Sequence, residues 1–328
     1  MPRTSLPSIA HLVDDTALGG VMRVVSVLDS SLGDVPQEMH RVTPLAPLSA
    51  RRFEAATIVV HFTLSWAKLP YLAALRTLNP RARLVIVEHS YTAAFEAAMV
   101  PDRRRFRTML RLGYRMADAV GAVSMGQAGW MGRAELLRGS KLSLVPCAVP
   151  PGDFASIALP VPGSPMRLGA FGRYHPQKGF DTLVRAMRDV PPEEATLSLA
   201  GYGEDETMLR KMASGLPHVS IGGRVDAAEF LSSVEVVAMP SRWEAGGVVC
   251  WETRHAGRPM IVADVDCLPE QVSPAWGSVV PSGDPAALSA AIRAMAGSDR
   301  CGMGAAARES SREGFGTALA SWRTFLGV

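Results

Sequence analysis

Residues 240–257 read PSRWEAGGVVCWETRHAG, and this stretch carries the clearest fold prediction for the second half of the chain. It follows an apolar run, residues 234–239, of the kind that forms a buried parallel strand. An Ala-Gly-Gly turn then leads into an apolar-periodic segment that Gly257 can end, so the sequence predicts strand, glycine turn and helix. Such a turn presents backbone N–H groups at the positive end of a helix dipole, where a phosphate is stabilised.

Two glutamates, Glu244 and Glu252, frame the turn with seven residues between them. Glu252 is predicted about one turn inside the helix. Its carboxylate can accept two hydrogen bonds from a cis-diol, each worth about 1.5–3 kcal/mol. Glu244 precedes the helix and is expected to face a ligand cleft. The alternative is that both glutamates are solvated surface side chains.

A second stretch, residues 169–181, reads GAFGRYHPQKGFD and again places a polar loop between a strand and a helix. It carries Arg173 and Lys178, a positive pair that can neutralise a diphosphate. Both loops are predicted at strand carboxyl ends of the same half, which is where open α/β sheets bind ligands.

GRYHPQKG at residues 172–179, followed by PSRWEAGGVVCWE at 240–252, resembles the retaining glycosyltransferases of family four. The resemblance implies the GT-B architecture, two Rossmann-like doubly wound α/β domains that face each other across a cleft. It implies transfer of a sugar from a nucleotide-diphosphate sugar to a hydroxyl of a glycan or lipid-linked acceptor, in bacterial envelope polysaccharide or glycolipid synthesis. It also implies that no metal or cofactor is required, with a UDP-sugar favoured over a GDP-sugar.

The same resemblance assigns roles to the residues of the two loops. Glu252 is expected to hold the ribose diol and Glu244 to contact hydroxyls of the donor sugar. Negative charge grows on the leaving diphosphate as the anomeric bond breaks, so cations and amides there stabilise the transition state more than the ground state. The expected donor-binding groups besides the glutamates are Gly19, Gly20, Arg173, Lys178, Arg224, Gly246, Gly247 and Val248.

Two histidines end strand-like runs in the first half, His61 in TIVVHF and His89 in LVIVEHSYT. His89 matches the position where family members place a histidine beside the donor sugar. Its imidazole is expected to donate a hydrogen bond to a sugar hydroxyl and to take part in catalysis with Glu244, Arg173 and Lys178. A histidine satisfied by local backbone is the alternative.

Apolar runs separated by helix-length segments predict a parallel, doubly wound sheet in each half. The predicted domains are residues 1–155, on the acceptor side, and 156–315, which binds the donor. A Pro/Gly-rich linker is expected at 150–165, with residues 316–328 packed back on the first domain. The chain contains neither GxGxxG nor GxxxxGK[ST], so dinucleotide binding and a P-loop are not indicated.

The first half is basic: residues 1–160 hold 18 Lys+Arg against 12 Asp+Glu, whereas 161–328 hold 16 against 19. Residues 101–117, PDRRRFRTMLRLGYRMA, predict an amphipathic helix with a concentrated basic side. We expect that side to contact anionic membrane lipid or a lipid-diphosphate acceptor, rather than nucleic acid. A solvated face remains the alternative. The four basic residues are Arg104, Arg107, Arg111 and Arg115.

The 328 residues are 48% hydrophobic and 20% charged, as in a soluble globular protein. The four cysteines form no CxxC pair, which argues against a disulfide scaffold or a zinc site and indicates a reducing compartment. Neither a signal-peptide core nor an apolar stretch of about 18 residues is present. We therefore expect a cytoplasmic protein, peripheral at the inner face of the cell membrane.

The sequence departs from the family pattern at Cys147-Ala148, where relatives commonly carry Asn-Gly, and at Asp266-Cys267, where they carry Gly-Gly. Three other functions therefore stay open. They are a GT-B sugar-nucleotide epimerase, a catalytically degenerate binder of nucleotide sugars or partners, and a metal-dependent enzyme that uses the DxD at residues 264–266.

Overall fold

The computed structural model describes residues 8–15 and 19–328. The chain divides into two compact units, one of residues 1–149 with 316–328 and the other of residues 150–315. Each unit contains a six-stranded sheet whose neighbouring strands are parallel, with helices in the connections. The predicted fold class is confirmed. The boundary after residue 149 lies slightly before the one predicted after residue 155.

The sheet of the first unit has the strand order β2-β1-β3-β4-β5-β6, so the order switches direction between β1 and β3. Its strands are β1 (Ile9–Val13), β2 (Gln37–Arg41), β3 (Thr57–Val60), β4 (Arg83–Glu88), β5 (Ala119–Ala122) and β6 (Leu142–Leu144). Its helices are α1 (Gly20–Ser31), α2 (Leu69–Leu78), α3 (Ala93–Met99), α4 (Arg103–Met116) and α5 (Met125–Arg133).

The central strands of this sheet are buried except at Arg83, as their largely apolar sequences predict. β2 was not predicted. It lies at the edge of the sheet and reads QEMHR, a half-exposed segment without an apolar run. A solvent-facing edge strand therefore gives little sequence signal.

The sheet of the second unit has the order β12-β11-β10-β7-β8-β9, the arrangement of a dinucleotide-type doubly wound sheet. Its strands are β7 (Met166–Arg173), β8 (Ala195–Tyr202), β9 (Val219–Ile221), β10 (Val236–Met239), β11 (Met260–Ala263) and β12 (Gly277–Val280). Its helices are α6 (Phe180–Ala186), α7 (Glu206–Ala213), α8 (Ala227–Ser233), α9 (Val248–His255), α10 (Pro285–Ala296) and the start of α11 (Arg300–Leu326).

The segment expected to be a linker belongs to the second unit, and part of it packs there, whereas residues 161–165 are exposed. Phe154, in the 3-10 turn Gly152–Ser156, is buried in a core cluster of that unit. The Arg258 guanidinium donates to the carbonyls of Leu231 and Ala158, at 2.7 and 2.9 Å. The prolines and glycines of this segment therefore shape an irregular but packed connection, because buried carbonyls need donors wherever the chain is not helix or strand.

The last part of α11 belongs to the first unit. Trp322 donates from its indole to the carbonyl of Pro146 at 2.9 Å. A Cβ at Gly121 would lie 2.5 Å from Cγ2 of Val145 and 3.2 Å from the Phe325 ring, so glycine suits the position where β5 meets both the Val145 side chain and this helix. Thr57 donates to the carbonyl of Leu326 at 3.2 Å. Within the described residues, no helix is long and apolar enough to cross a membrane.

Candidate functional site

The two loops singled out by sequence lie side by side because β7 and β10 are adjacent parallel strands, with Val236 opposite Leu168. Parallel strands end at the same edge, so the loop after Arg173 and the loop after Met239 meet there. The strand order of this sheet also reverses between β7 and β10. Open α/β sheets bind ligands at that point, because the helices diverge to opposite faces and leave a crevice.

Arg242 fastens the two loops together. Its backbone N–H donates to the carbonyl of Gln177 at 2.7 Å, and its guanidinium donates to the carbonyl of Pro176 at 2.6 Å and to Asp181 at 2.8 Å. Burial works against ionisation of Asp181, but the hydrogen bond and charge of Arg242 lower the pKa of that carboxyl below its ordinary value. The two loops are therefore held at a fixed separation.

Lys178 and Glu244 meet across this junction. The Lys178 ammonium lies 2.5 Å from a carboxylate oxygen of Glu244, and both side chains are about four-fifths buried. The same carboxylate accepts from the Ser241 hydroxyl at 3.4 Å, and the backbone N–H of Glu244 donates to Asp266 at 3.1 Å. An ammonium donates three hydrogen bonds, so Lys178 can hold Glu244 and still donate to an anionic oxygen.

The turn at residues 245–247 leads directly into α9, which begins at Val248. The first amides of a helix have no intrahelical acceptor. Gly247 adopts φ 57°, a left-handed conformation, and a Cβ there would lie 3.1 Å from the Cys267 sulfur and 3.2 Å from the Cys250 sulfur. Only glycine fits this turn comfortably. The amides of Gly246, Gly247 and Val248 thus lie at the positive end of the α9 dipole.

The other predicted residues of the second unit are spread along the same sheet edge. Arg173 is exposed at the end of β7. Arg224 is exposed after β9, and its guanidinium lies 3.7 Å from the centroid of the Tyr202 ring. Glu252 lies in the second turn of α9 and is only 4% exposed, so its contact with a ribose stays a prediction.

In the first unit, the structure brings together three histidines where the sequence indicated two. His11 Nδ1 lies 2.9 Å from His61 Nε2, and His61 Nδ1 lies 2.9 Å from His89 Nε2. At the far end, His11 Nε2 lies 2.9 Å from the side-chain oxygen of Gln37, and at the near end His89 Nδ1 lies 3.9 Å from the Cys147 sulfur.

The strand register explains this row of histidines. His11 pairs with Val59 on β3, and His61 lies two residues further along the same face. On β4 the partner of Val60 is Ile86, so His61 stands opposite Val87, and His89 again lies two residues further. Side chains alternate between faces with a period of two, so the three rings form a diagonal on one face of the sheet.

Burial lowers the pKa of all three histidines, because a charged imidazole loses its hydration there. The pKa of His89 falls to about 4, and the pKa of His61 falls well below its ordinary value, helped by its histidine neighbours. The row is therefore uncharged at neutral pH.

The predicted basic face of α4 is smaller than expected. Arg107 pairs with both carboxylate oxygens of Glu96, and Arg111 donates to the carbonyls of Ala134 and Glu135. Both guanidinium groups are thus committed to the fold, whereas Arg104 and Arg115 are exposed. Helical spacing alone cannot distinguish an arginine that packs on neighbouring segments from one that faces water.

Gly19 and Gly20 lie at the start of α1 and are exposed. Gly19 has φ −155°, an extended conformation open to any residue, so the backbone does not require glycine there. A role in approaching a donor stays a prediction for both. Residues 16–18 of the same predicted loop lie outside the described residues.

The second aspartate of the DxD at 264–266 makes a hydrogen bond within the protein. Asp266 accepts from the Glu244 amide at 3.1 Å and adopts φ 46°. Over residues 8–15 and 19–328, no group of three or more His, Cys, Asp or Glu side chains is placed to hold a metal ion.

Arg242, His11 and Gln37 were missed by sequence reasoning. Arg242 lies within residues 240–257 and could have been found there, since an arginine in a strand-end loop can donate hydrogen bonds to the carbonyls of a neighbouring loop. His11 lies mid-strand in IAHLV, and only its register with His61 shows its importance.

Comparison with known proteins places these sites in context. Residues 165–298 match the family Glycosyl transferases group 1. The GDP-mannose-dependent monoacylated alpha-(1-6)-phosphatidylinositol monomannoside mannosyltransferase of Corynebacterium glutamicum is 33% identical over 151 residues, which cover 42% of this chain and 40% of that protein. The D-inositol 3-phosphate glycosyltransferase of Xylanimonas cellulosilytica is 28% identical over 283 residues, which cover 81% of this chain and 64% of that protein. The matched region thus spans less than two thirds of either relative.

Among solved structures, Anabaena Alr3699/HepE in complex with UDP and glucose superimposes with a TM-score of 0.76 at 17% identity, covering 98% of this chain and 99% of that one. At this identity the similarity shows the fold, which is GT-B. The resemblance to family-four glycosyltransferases is confirmed, and none of these proteins supports the epimerase alternative.

Replacing Gly179 with alanine should loosen the junction of the two loops. Gly179 has φ 63°, and a Cβ there would lie 2.1 Å from the carbonyl oxygen of Pro240. We expect Gly179→Ala to cost more than the ~1–2 kcal/mol of a left-handed alanine, because the Lys178 loop must also move. Equilibrium denaturation measures the loss.

The matched control is Gly283→Ala, since Gly283 has φ 75° with no atom within 4 Å of the added Cβ. It carries the backbone strain without the collision. Equal losses for the two variants would contradict the importance of the contact with Pro240.

Proposed function

Because the chain carries a group 1 glycosyltransferase domain within a GT-B fold, we propose that it transfers a sugar from a nucleotide-diphosphate sugar to a hydroxyl group, with retention of anomeric configuration. The observation that carries this proposal is the junction of the β7 and β10 loops. There a cation at Lys178, a second cation at Arg173 and the backbone amides at the start of α9 lie at the switch point of one sheet.

The charges of this junction suit departure of a nucleoside diphosphate. As the bond between the anomeric carbon and the diphosphate breaks, charge accumulates on the leaving oxygen, and donors already held in place stabilise it without reorganisation. Lys178 is held by Glu244, and the Glu244 loop is held by Arg242, so the ammonium is oriented before the ligand arrives. No metal is required by this scheme.

Glu252 and Arg224 are proposed to select the nucleoside part of the donor. The Glu252 carboxylate would accept from the ribose diol, and the Arg224 guanidinium stacked on Tyr202 offers a flat cationic surface beside which a base can lie. We propose a UDP-sugar as the first donor to test, because the structural neighbour from Anabaena holds UDP. GDP-mannose is the second, since it is named in the relative from Corynebacterium.

The acceptor is proposed to be a lipid-linked or glycan hydroxyl in envelope synthesis. The relatives named for phosphatidylinositol mannoside and inositol phosphate support an anionic acceptor. The exposed arginines of α4 in the first unit provide positive charge suited to such a headgroup or to an anionic membrane at the inner face of the cell.

Thermal stabilisation by UDP-, GDP-, dTDP- and ADP-sugars in EDTA tests the donor site. One nucleotide should stabilise the protein, by about 2.7 kcal/mol at 100 times its Kd. Glu252→Gln, which keeps the side-chain volume, should lose most of this shift if the carboxylate binds the ribose. Glu309→Gln is the control, because Glu309 is an exposed glutamate of the same unit. An unchanged shift in Glu252→Gln would remove the ribose assignment.

Neutralising the cations should affect turnover more than donor binding. Arg173→Ala and Lys178→Ala are each expected to lower kcat by about 10²–10³-fold, the loss typical when one charge-stabilising donor is removed. Lys178→Arg, which keeps the positive charge, should retain part of the kcat that Lys178→Ala loses. Rates of sugar transfer are compared with those of Arg188→Ala, an exposed arginine on the same unit. Normal turnover in Arg173→Ala and Lys178→Ala would place the diphosphate elsewhere.

Reversing the exposed charges of α4 should weaken membrane binding. Arg104→Glu combined with Arg115→Glu is expected to reduce co-sedimentation with phosphatidylglycerol vesicles at low salt, and added salt should reduce binding of the wild type. The control is Arg188→Glu with Arg312→Glu, an equal change of charge on the second unit. Equal loss in both double variants would show a net-charge effect only.

A further inference from the structure

Four side chains, Gln37, His11, His61 and His89, form a continuous hydrogen-bonded row across β2, β1, β3 and the end of β4. Each neutral imidazole in such a row has one N–H and one lone pair. Every N···N contact must contain one hydrogen, so fixing the hydrogen at one end fixes it at every position. The donor and acceptor at every contact of the row can therefore be derived from the end whose orientation is fixed.

Gln37 anchors the far end. Its amide nitrogen lies 3.1 Å from the carbonyl oxygen of Leu28 and 3.4 Å from that of Leu32, at the C-terminal end of α1. Carbonyl oxygens only accept hydrogen bonds, and each of these two has a second lone pair besides the one that accepts from the backbone N–H of Leu32 or Val35. The Gln37 NH₂ must therefore face them, which turns its oxygen toward His11 Nε2 at 2.9 Å.

The orientation of Gln37 then fixes which nitrogen of each histidine carries the hydrogen. His11 Nε2 must carry the hydrogen that Gln37 accepts, so His11 Nδ1 has a lone pair and accepts from Nε2–H of His61. His61 Nδ1 in turn accepts from Nε2–H of His89. The lowered pKa values of the three histidines keep the row uncharged at neutral pH, so no extra proton disturbs this order.

His89 is left with a lone pair on Nδ1, and its ring cannot turn over without losing the bond to His61. In the part of the chain that the structure describes, the contact at this nitrogen is the Cys147 sulfur at 3.9 Å, a weak partner. His89 is partly exposed, so a ligand can reach it.

We propose that Gln37, His11 and His61 are positioning residues that fix His89 as a hydrogen-bond acceptor for a substrate hydroxyl. This reverses the polarity expected from the sequence, where His89 donates. The identity of the hydroxyl, on the donor sugar or on the acceptor, rests on the proposed function. The polarity of His89 does not.

A fixed acceptor selects ligands differently from a fixed donor. A hydroxyl that donates to Nδ1 has its hydrogen directed at the ring, so its oxygen lone pairs point away and its rotation is restricted. A ligand with an ether or carbonyl oxygen at this point would meet lone pair against lone pair and would be rejected. The row thus supplies specificity for a free hydroxyl.

Nitrogen-15 NMR of the full chain, with labelled histidine and at neutral pH, tests the polarity directly. We expect His11, His61 and His89 each to be protonated at Nε2 and unprotonated at Nδ1. A hydrogen on Nδ1 of His89, or a charged ring at any of the three, would overturn the proposal. This reading needs no substrate and no variant.

A matched pair of variants tests the coupling. His61→Gln can still donate to His11 and accept from His89, whereas His61→Met has similar bulk and can do neither. We expect His61→Gln to keep the His89 tautomer and turnover within about threefold. His61→Met should lose the single tautomer and lower kcat roughly tenfold, the value of one hydrogen bond, with little change in donor KM.

The outcomes separate this inference from the proposed function. A retained single tautomer and wild-type kcat in His61→Met would overturn the positioning role even in an active transferase. If no nucleotide sugar is turned over, the proposed function fails, and the NMR result on the wild type still decides the polarity of His89.

Discussion

The parallel pairing of β7 with β10 is the constraint on which the candidate donor site depends. Residues nearly 70 positions apart, such as Leu168 and Val236, become neighbours only through this ladder. Because both strands end at the same edge, the ladder sets the distance between their loops, and Arg242 then fixes it with three hydrogen bonds. The Lys178–Glu244 pair is a consequence of that spacing. An ammonium already oriented by a carboxylate still has donors to offer an anion, which is why we propose that a ligand binds there.

The register of parallel strands also positions side chains in the first unit, where it forms a row of hydrogen-bonding groups. There the period of two in side-chain direction, repeated across four adjacent strands, aligns one amide and three imidazoles on a single diagonal. The Leu28 and Leu32 carbonyls at the end of α1 orient the amide, and burial keeps the rings neutral. The carbonyls at the end of α1 thereby determine which nitrogen of His89 carries a hydrogen, through a series of hydrogen bonds between neighbouring side chains.

The binding of a diphosphate at Lys178 stays a prediction. Sequence reasoning did place the loop of Lys178 between β7 and α6 and the glycine turn of Gly247 before α9, where the structure has them. It failed for Arg107, whose spacing on α4 resembles that of a surface arginine although Glu96 binds it bidentately. Spacing along a helix does not reveal which neighbouring segment covers it.

Local sequence is enough to predict the alternation of strands and helices, the glycine turns, and the two loops that carry Lys178 and Glu244. These depend on local periodicity and backbone conformation, which neighbouring residues encode. The sequence also predicted that residues 316–328 pack on the first unit. The tertiary structure alone shows that Phe154 of the 150–165 segment lies in a core cluster of the second unit and that His11 completes a row ending at His89. Those features depend on strand order and register, which arise from contacts between residues far apart in the chain.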